Sequence, residues 1–221
     1  MEIIKLSNVK KSYYDVNREL SVLKDINLSV QEGEFVVISG ASGCGKSTLL
    51  HMIGLLDSPD SGEIYLAGEF MNSLKSVELF RNKNIGFIFQ FHYLLEDFTA
   101  LENAIIPLLV QGYKKKEAVK KAMVVLESLG LKERENHFPN QLSGGEEQRV
   151  AIARAMITNP RLLIADEPSG NLDAETTSSV MKILRKLNKE GLTIIFVTHD
   201  LSLVEPTDTH YTIKDGKLIL A

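Results

Sequence analysis

The sequence predicts an α/β fold built around a mostly parallel sheet. Apolar runs rich in Val, Ile and Phe recur along the chain, at 35–38, 85–89, 162–165 and 193–197. Such uninterrupted runs are typical of strands that are buried on both faces. Apolar residues at helical spacing lie over 118–129, between the second and third runs, and over 180–187, between the third and fourth. Strands that alternate with helices in this way favour a parallel core sheet.

The N-terminal part carries a different pattern. Ile26, Leu28 and Val30 alternate with polar residues, which indicates a strand with one buried face and predicts an added antiparallel β-subdomain. The middle, about 91–160, is interpreted as a mostly helical lobe inserted between core strands. We therefore expect a single domain over 1–221, with a core formed by 1–90 and 161–221.

Composition excludes several classes of protein. The 221 residues are 44% apolar and 24% charged, which excludes collagen-like and disordered chains. The net charge of −4 disfavours nucleic acid as a partner, and the single cysteine excludes an intramolecular disulfide and fits a reducing, cytoplasmic setting. No apolar run approaches the roughly 20 residues that cross a bilayer. Work at a membrane would therefore need another chain to hold this one there.

A glycine-rich motif follows the first buried run. It fits G-x-x-x-x-G-K-[ST] and consists of Gly40, Ala41, Ser42, Gly43, Cys44, Gly45, Lys46, Ser47 and Thr48. Its backbone N–H groups, together with the start of the helix predicted over 48–55, are expected to surround phosphate oxygens. Lys46 would neutralise phosphate charge and Ser47 would bind Mg²⁺. The motif predicts a nucleoside triphosphate site.

Two carboxylates end the third buried run. Asp166 is expected to hold Mg²⁺ opposite Ser47, and Glu167 to act as the general base that polarises the attacking water. Phosphoryl transfer otherwise needs mainly positioning and charge neutralisation.

A second anion-binding pattern lies at Leu142–Glu146, before a helix expected to start near Glu147. Ser143, Gly144 and Gly145 offer a hydroxyl and bare backbone N–H groups at that helix start. One chain thus carries two phosphate-binding surfaces that lie far apart in sequence.

These motifs, in this order, resemble the ATP-binding-cassette (ABC) ATPases over nearly the whole chain. The resemblance implies a P-loop NTPase core and assigns further roles. Tyr13 is similar to the residue that stacks on adenine, with the adjacent Tyr14 as the alternative. Gln90 is similar to the glutamine that contacts Mg²⁺ and the attacking water, and His199 to the histidine that contacts the γ-phosphate. The signature, with Glu146 where many members have Gln, and Asp173 would face the nucleotide of a second subunit.

The resemblance also implies partners. Two copies would pack head to tail around two ATP molecules and drive a separate membrane permease, on the cytoplasmic face of the inner membrane. The segment after Gln90 is expected to contact that permease through an apolar group of residues, namely Phe91, Tyr93, Leu94, Leu95 and Phe98. Filling the core of the helical lobe is the alternative role for these side chains.

The resemblance is closest to the branch that contains the lipoprotein-releasing, macrolide- or peptide-export and cell-division ATPases, and most of all to the lipoprotein-releasing type. A soluble ABC ATPase of DNA repair or translation is the alternative, but the roughly 95 residues between the two anion sites leave no room for long coiled coils. A GTPase would need Asn-Lys-x-Asp, and the match at Asn188 fails at Gly191.

Overall fold

The computed structural model describes residues 1–15 and 18–221 as two sheets with helices packed around them. The strands are β1 (Glu2–Asp15), β2 (Arg18–Gln31), β3 (Phe35–Ser39), β4 (Ser61–Leu66), β5 (Glu69–Phe70), β6 (Ile85–Phe89), β7 (Leu162–Asp166), β8 (Thr193–Val197), β9 (Thr209–Lys214) and β10 (Lys217–Leu220). The helices are α1 (Lys46–Ile53), α2 (Val77–Asn84), α3 (Ala100–Val110), α4 (Lys115–Ser128), α5 (Gly144–Met156) and α6 (Ala174–Lys189).

The core sheet has the order β10-β9-β3-β8-β7-β6. Its neighbours from β9 to β6 run parallel, and β10 pairs with β9 antiparallel. The second sheet is antiparallel, with the order β2-β1-β4-β5. The predicted α/β fold with an N-terminal antiparallel sheet is confirmed.

The two faces of the core sheet bury different apolar groups. Val36 and Ile38 of β3 pack with α1 and the antiparallel sheet, whereas Phe35 and Val37 pack on the side of α5 and α6. This division follows from the alternation of side chains along a strand. A third apolar group joins α3, α4 and α5 in the helical region after Gln90.

The register of the parallel strands aligns their carboxyl ends. Phe89 of β6 lies opposite Asp166 of β7, Asp166 lies opposite Val197 of β8, and Val197 lies opposite Ile38 of β3. The residues that follow these four strands therefore meet along one edge of the sheet, which we call the carboxyl edge. In open α/β sheets this edge is where ligands bind.

Within 1–15 and 18–221, none of the helices combines the length and the apolar character that crossing a bilayer requires.

Candidate active site

The glycine-rich loop joins β3 to α1 at the carboxyl edge. Gly45 is the N-cap of α1 and has a φ of 106°, in the left-handed region. A Cβ on Gly40 would lie 2.6 Å from the carbonyl oxygen of Ile213, so only glycine fits at this position. At Gly43 an added Cβ would meet nothing within 4 Å, which shows that the loop opens to space on that side. The loop has the form of a cradle that a phosphate group fits.

Lys46 stands in the first turn of α1 and folds back over the loop. Its Nζ donates to the carbonyl oxygens of Gly40, at 2.8 Å, and Ala41, at 3.1 Å. The side chain is buried, so its charge lies at the mouth of the cradle rather than in bulk water. A phosphate oxygen entering the loop would replace these neutral acceptors with a charged one.

Ser47 and Asp166 share a cavity of about 240 Å³ beside this loop. Burial, and next the charge of Glu167, raises the pKa of Asp166, while His51 and Lys46 act in the opposite direction. A cation bound here would relieve the cost of this ionised, partly buried carboxylate. A hydroxyl, a carboxylate and phosphate oxygens are the hard donors that Mg²⁺ prefers, so these residues fit that ion.

Glu167 is held away from Asp166 by an unusual backbone conformation. Its φ is 45°, which is strained for a non-glycine residue. The backbone is fixed on both sides, since the N–H of Glu167 donates to the carbonyl of Val197 and its own carbonyl accepts from the N–H of Gly170. The two adjacent carboxylates consequently face different spaces: Asp166 faces the cavity with Ser47, whereas Glu167 lines a separate cleft of about 1000 Å³.

His199 stands beside Glu167 in this cleft. Its Nδ1 lies 2.9 Å from Oε2 of Glu167. The imidazole is two-thirds exposed, whereas the carboxylate is largely covered. This pair can accept a proton from a water molecule and keep the base oriented, which is the geometry of general-base catalysis.

Gln90 directly follows β6, as predicted, but it does not line the cavity of Ser47 and Asp166 in the part of the chain that the structure describes. Its side chain packs against the loop after Glu167, because a Cβ on Gly170 would lie 2.9 Å from Nε2 of Gln90. The amide is thus near the proposed base rather than among the proposed metal ligands.

Tyr13 is placed by a charged cluster that sequence reasoning missed. Its hydroxyl donates to Oδ2 of Asp57, and the ammonium of Lys11 binds the same carboxylate and lies 5.4 Å from the centre of the Tyr13 ring. The hydrogen bond from Lys11 lowers the pKa of Asp57. Since Asp57 follows α1, the cluster fixes the exposed ring relative to the glycine-rich loop.

The second anion-binding pattern starts α5 earlier than predicted. The helix begins at Gly144 rather than near Glu147, because Ser143 and Glu146 form a capping box. The Ser143 hydroxyl accepts from the N–H of Glu146, and the Glu146 carboxylate accepts from both the N–H and the hydroxyl of Ser143. Ser143 and Gly144 remain exposed, so the helix N-terminus stays open to an anion.

The signature packs beside Asp173 and away from the glycine-rich loop. A Cβ on Gly145 would lie 2.7 Å from Cγ2 of Thr176, in the helix that Asp173 caps. Among the described residues, the signature contributes nothing to the cavity of Ser47 and Asp166. One chain therefore does not bring its two anion sites together.

Glu146 is the most perturbed carboxylate near the signature. The N–H of Ser143 and the guanidinium of Arg134, whose Nε lies 2.7 Å from Oε1, lower the pKa of Glu146 to about 2. Folding lowers the pKa of this carboxyl from its ordinary value of 4.5. The carboxylate therefore stabilises the fold at pH values above 4.5 and loses this contribution as the pH falls toward 2.

Glu146→Gln is expected to lower the free energy of unfolding by about 1 kcal/mol at pH 7, because the capping amide remains but the charge pair with Arg134 is lost. The deficit should begin to shrink below pH 4.5 and continue to shrink toward pH 3. Urea unfolding of both proteins across this range measures it, and Glu96→Gln, on an exposed loop, serves as the matched control. A deficit that is constant with pH would contradict the assignment.

Arg154 is a further residue that the sequence did not identify. From α5 its guanidinium donates to the carbonyl oxygens of His92 and Tyr93, both at 2.6 Å. His92 in turn lies 3.0 Å from Glu147. The segment after Gln90 and the signature helix are therefore joined by two sets of polar contacts. The available signal was that Arg154 is the one charged residue in the otherwise apolar stretch 150–156 of α5.

Comparison with known proteins finds relatives that are all ATP-binding proteins of ABC systems. The sequence model of a family described as "ABC transporter" matches residues 23–170. The lipoprotein-releasing system ATP-binding protein LolD of Aquifex aeolicus is 49% identical over 220 residues, which cover 99% of this chain and 96% of that protein. LolD of Rickettsia bellii is 48% identical over 98% of this chain and 97% of its own length. The dimeric structure of the ATP-binding cassette MJ0796 in a post-hydrolysis state, bound to ADP and Pi, is 41% identical and superposes with a TM-score of 0.89 over 98% of this chain and 96% of its own.

Proposed function

Because the chain belongs to the ABC transporter family and is an ATPase subunit of that family, we propose that two copies act as a head-to-tail dimer that drives a membrane permease. The observation that carries this proposal is the carboxyl edge, where Lys46, Asp166, Glu167 and His199 follow neighbouring strands. Groups for binding, charge neutralisation and proton removal are thereby available along one edge of the sheet.

Within each site the residues divide the work by position. Lys46 would bind the β- and γ-phosphates, and the loop N–H groups would bind the remaining oxygens. Ser47 and Asp166 would hold Mg²⁺, which supplies charge neutralisation when bound. Glu167 would accept the proton of the attacking water while His199 orients its carboxylate. Gln90 would link this base to the segment that follows β6.

A second copy completes the site. Ser143, Gly144, Gly145 and Glu146 lie outside the cavity of their own chain, and Asp173 lies beside them. The relative MJ0796 is a dimer with ADP and Pi bound. We therefore assign the signature and Asp173 to the nucleotide of the opposite subunit, so that ATP binding stabilises the closed dimer and hydrolysis releases it.

A groove beside the segment after Gln90 is the proposed docking site for a cytoplasmic helix of the permease. It has a volume of about 420 Å³ and is lined by residues of α2, β6, α3 and α5, among them Phe87, Phe89, Tyr93, Val110 and Arg154. The rings of Phe87 and Phe89 stack at 5.6 Å, and that of Tyr93 meets Phe89 edge-on at 5.4 Å. An aromatic floor with an exposed rim is suited to an amphipathic helix.

Of the five residues predicted for this contact, only Tyr93 lines the groove. Leu94 packs against the apolar group of the helical region, which is the alternative role considered for it. Phe91, Leu95 and Phe98 are exposed outside the groove. Asn103 holds the segment from Leu95 to Thr99 against α3 through four hydrogen bonds, which places Leu95 and Phe98 away from the groove.

The cargo proposed is a lipoprotein that is released from the inner membrane. The chain itself would lie at the cytoplasmic face of that membrane, bound through its permease. The support is likeness to two LolD proteins at 49% and 48% identity over nearly the whole chain. We propose that the permease, rather than the ATPase, selects the cargo.

Partner capture tests the proposal. Tagged Glu167→Gln with MgATP, isolated from detergent-solubilised membranes of the native host, is expected to carry a membrane-spanning permease, whose extracytoplasmic part distinguishes lipoprotein release from macrolide export or cell division. Adding Tyr93→Glu should remove the permease, because a charge on the groove rim opposes docking of an apolar helix face. Leu220→Glu, equally exposed but on β10, should leave it bound. Recovery of cytoplasmic partners alone would contradict a transport role.

A further inference from the structure

A basic surface on the helical region is separate from the catalytic machinery. It consists of Lys114, Lys115, Lys116, Lys120 and Lys121 at the N-terminal half of α4, and we call it the lysine patch. The five ammonium groups face few carboxylates. Lys115 lies 3.5 Å from Glu102, and Glu117 stands within the patch, so a local excess of three positive charges remains in a chain of net charge −4.

The lysines are available for an external partner. Among the side chains that the structure describes, Lys114, Lys116 and Lys120 form no ion pair, and all three are exposed. Lys121 lies over the ring of Tyr113 at 5.3 Å. If the patch only kept this face of the helix in water, its neighbours should be polar as well. They are not, because exposed apolar side chains lie next to it.

Apolar side chains border the patch where α3 ends. Leu109, Val110 and Tyr113 are each more than a third exposed, and Val110 reaches 57%. All three lie within the five residues that precede Lys114. Aliphatic and aromatic side chains beside clustered lysines are the composition of surfaces that settle at the headgroup boundary of a membrane.

The position of the patch agrees with that environment. Val110 also lines the groove proposed for the permease, and it lies four positions before Lys114, at most about 14 Å along the chain. The patch thus borders the face that would be turned to the membrane.

The chemistry of the patch favours lipid over an acidic peptide. All five cations are lysines, and no arginine occurs between Arg81 and Arg134. Specific recognition of carboxylates in a peptide normally uses the bidentate guanidinium fork, whereas lysine acts as a mobile point charge that suits a fluid anionic surface. We propose that the lysine patch, with Leu109, Val110 and Tyr113, binds the anionic headgroups of the membrane beside the permease.

Vesicle binding by the isolated full-length chain tests this inference. The chain should sediment with vesicles of phosphatidylcholine and phosphatidylglycerol at about millimolar lipid, and much less with phosphatidylcholine alone. Salt at about 0.5 M should release it, because the Debye length then falls to a few ångströms. The triple variant K114Q/K116Q/K120Q should bind about 100-fold more weakly, since each lysine contributes about fivefold near an anionic surface.

The matched control is K182Q/K186Q/K189Q, which removes three exposed lysines from α6 and should leave vesicle binding unchanged. ATP hydrolysis by the patch variant should equal that of the wild type, which excludes misfolding. Equal binding by the patch variant and the wild type, or by neutral and anionic vesicles, would overturn the proposal. The proposal would also be overturned if the wild type bound no vesicles and the patch variant lost permease capture. An acidic segment of a protein would then be the partner of the lysine patch. The permease itself is absent from the vesicle test, so this failure is distinct from failure of the proposed function.

Discussion

Glu167→Gln is expected to bind ATP as the wild type does and to hydrolyse it about 10²–10⁴-fold more slowly, the contribution of a general base. Glutamine keeps the size and the hydrogen bond to His199 but cannot accept a proton. The lysine and the loop that bind phosphate are unaffected, so affinity should persist. Phosphate release under saturating MgATP measures the rate, and equilibrium binding of a fluorescent ATP analogue measures the affinity.

The same variant should accumulate as a dimer, because closure is no longer followed by hydrolysis. Light scattering at millimolar MgATP measures the mass, and Glu190→Gln, an exposed glutamate at the end of α6, provides the control. A variant that remains monomeric would contradict the head-to-tail site for the isolated chain. Hydrolysis at the wild-type rate would remove Glu167 from the role of base.

The structure explains why Glu167, and not Asp166, is the candidate base. Both carboxylates end the same strand, and burial and the neighbouring Glu167 raise the pKa of Asp166. A raised pKa alone would make Asp166 the better proton acceptor. However, Asp166 faces Ser47, whereas Glu167 lies 2.9 Å from the Nδ1 of His199 in the other cleft. Geometry therefore favours Asp166 as the proposed ligand of the cation and Glu167 as the proposed base.

The core sheet could be predicted from the sequence because each parallel strand is a continuous apolar run. β6 and β8 have the predicted bounds, and β7 extends one residue further to include Asp166. The parallel pairing of β7 and β8 brings Glu167 beside His199, a contact that the sequence analysis did not predict. The glycine-rich loop could also be predicted from the sequence, since its motif specifies both the glycines of the turn and the lysine that binds phosphate.

Contacts between segments distant in sequence could not be predicted. Arg154 binds backbone carbonyls 61 and 62 residues away, and a carbonyl carries no sequence signal. The same holds for Lys11 and Asp57 beside Tyr13, which are 46 residues apart. The start of α5 was placed too late for a local reason: two glycines have poor helix propensity, but the capping box of Ser143 and Glu146 outweighs it.

Lys46→Ala is expected to weaken ATP binding by about 10- to 150-fold, the loss that follows removal of a hydrogen bond to a charged group worth about 1.5–3 kcal/mol. The ammonium is the cation held over the mouth of the loop, where it lies 2.8 Å from the carbonyl of Gly40. Without it, the loop itself would offer the β- and γ-phosphates neutral N–H donors and no cationic side chain. Calorimetric titration with ATP and MgATP measures the effect.

The alanine also removes two donors from the carbonyls of Gly40 and Ala41, so a loosened loop is a competing cause of weaker binding. Lys46→Met separates the causes, because it keeps the aliphatic stem that fills the buried space. If charge neutralisation is the role, both variants should lose affinity for ATP while affinity for AMP, which lacks the β- and γ-phosphates, changes little. Lys24→Ala, an exposed lysine on β2, should bind ATP normally. Equal losses for ATP and AMP would instead assign Lys46 to the shape of the loop, and normal ATP binding would exclude it from the phosphate site altogether.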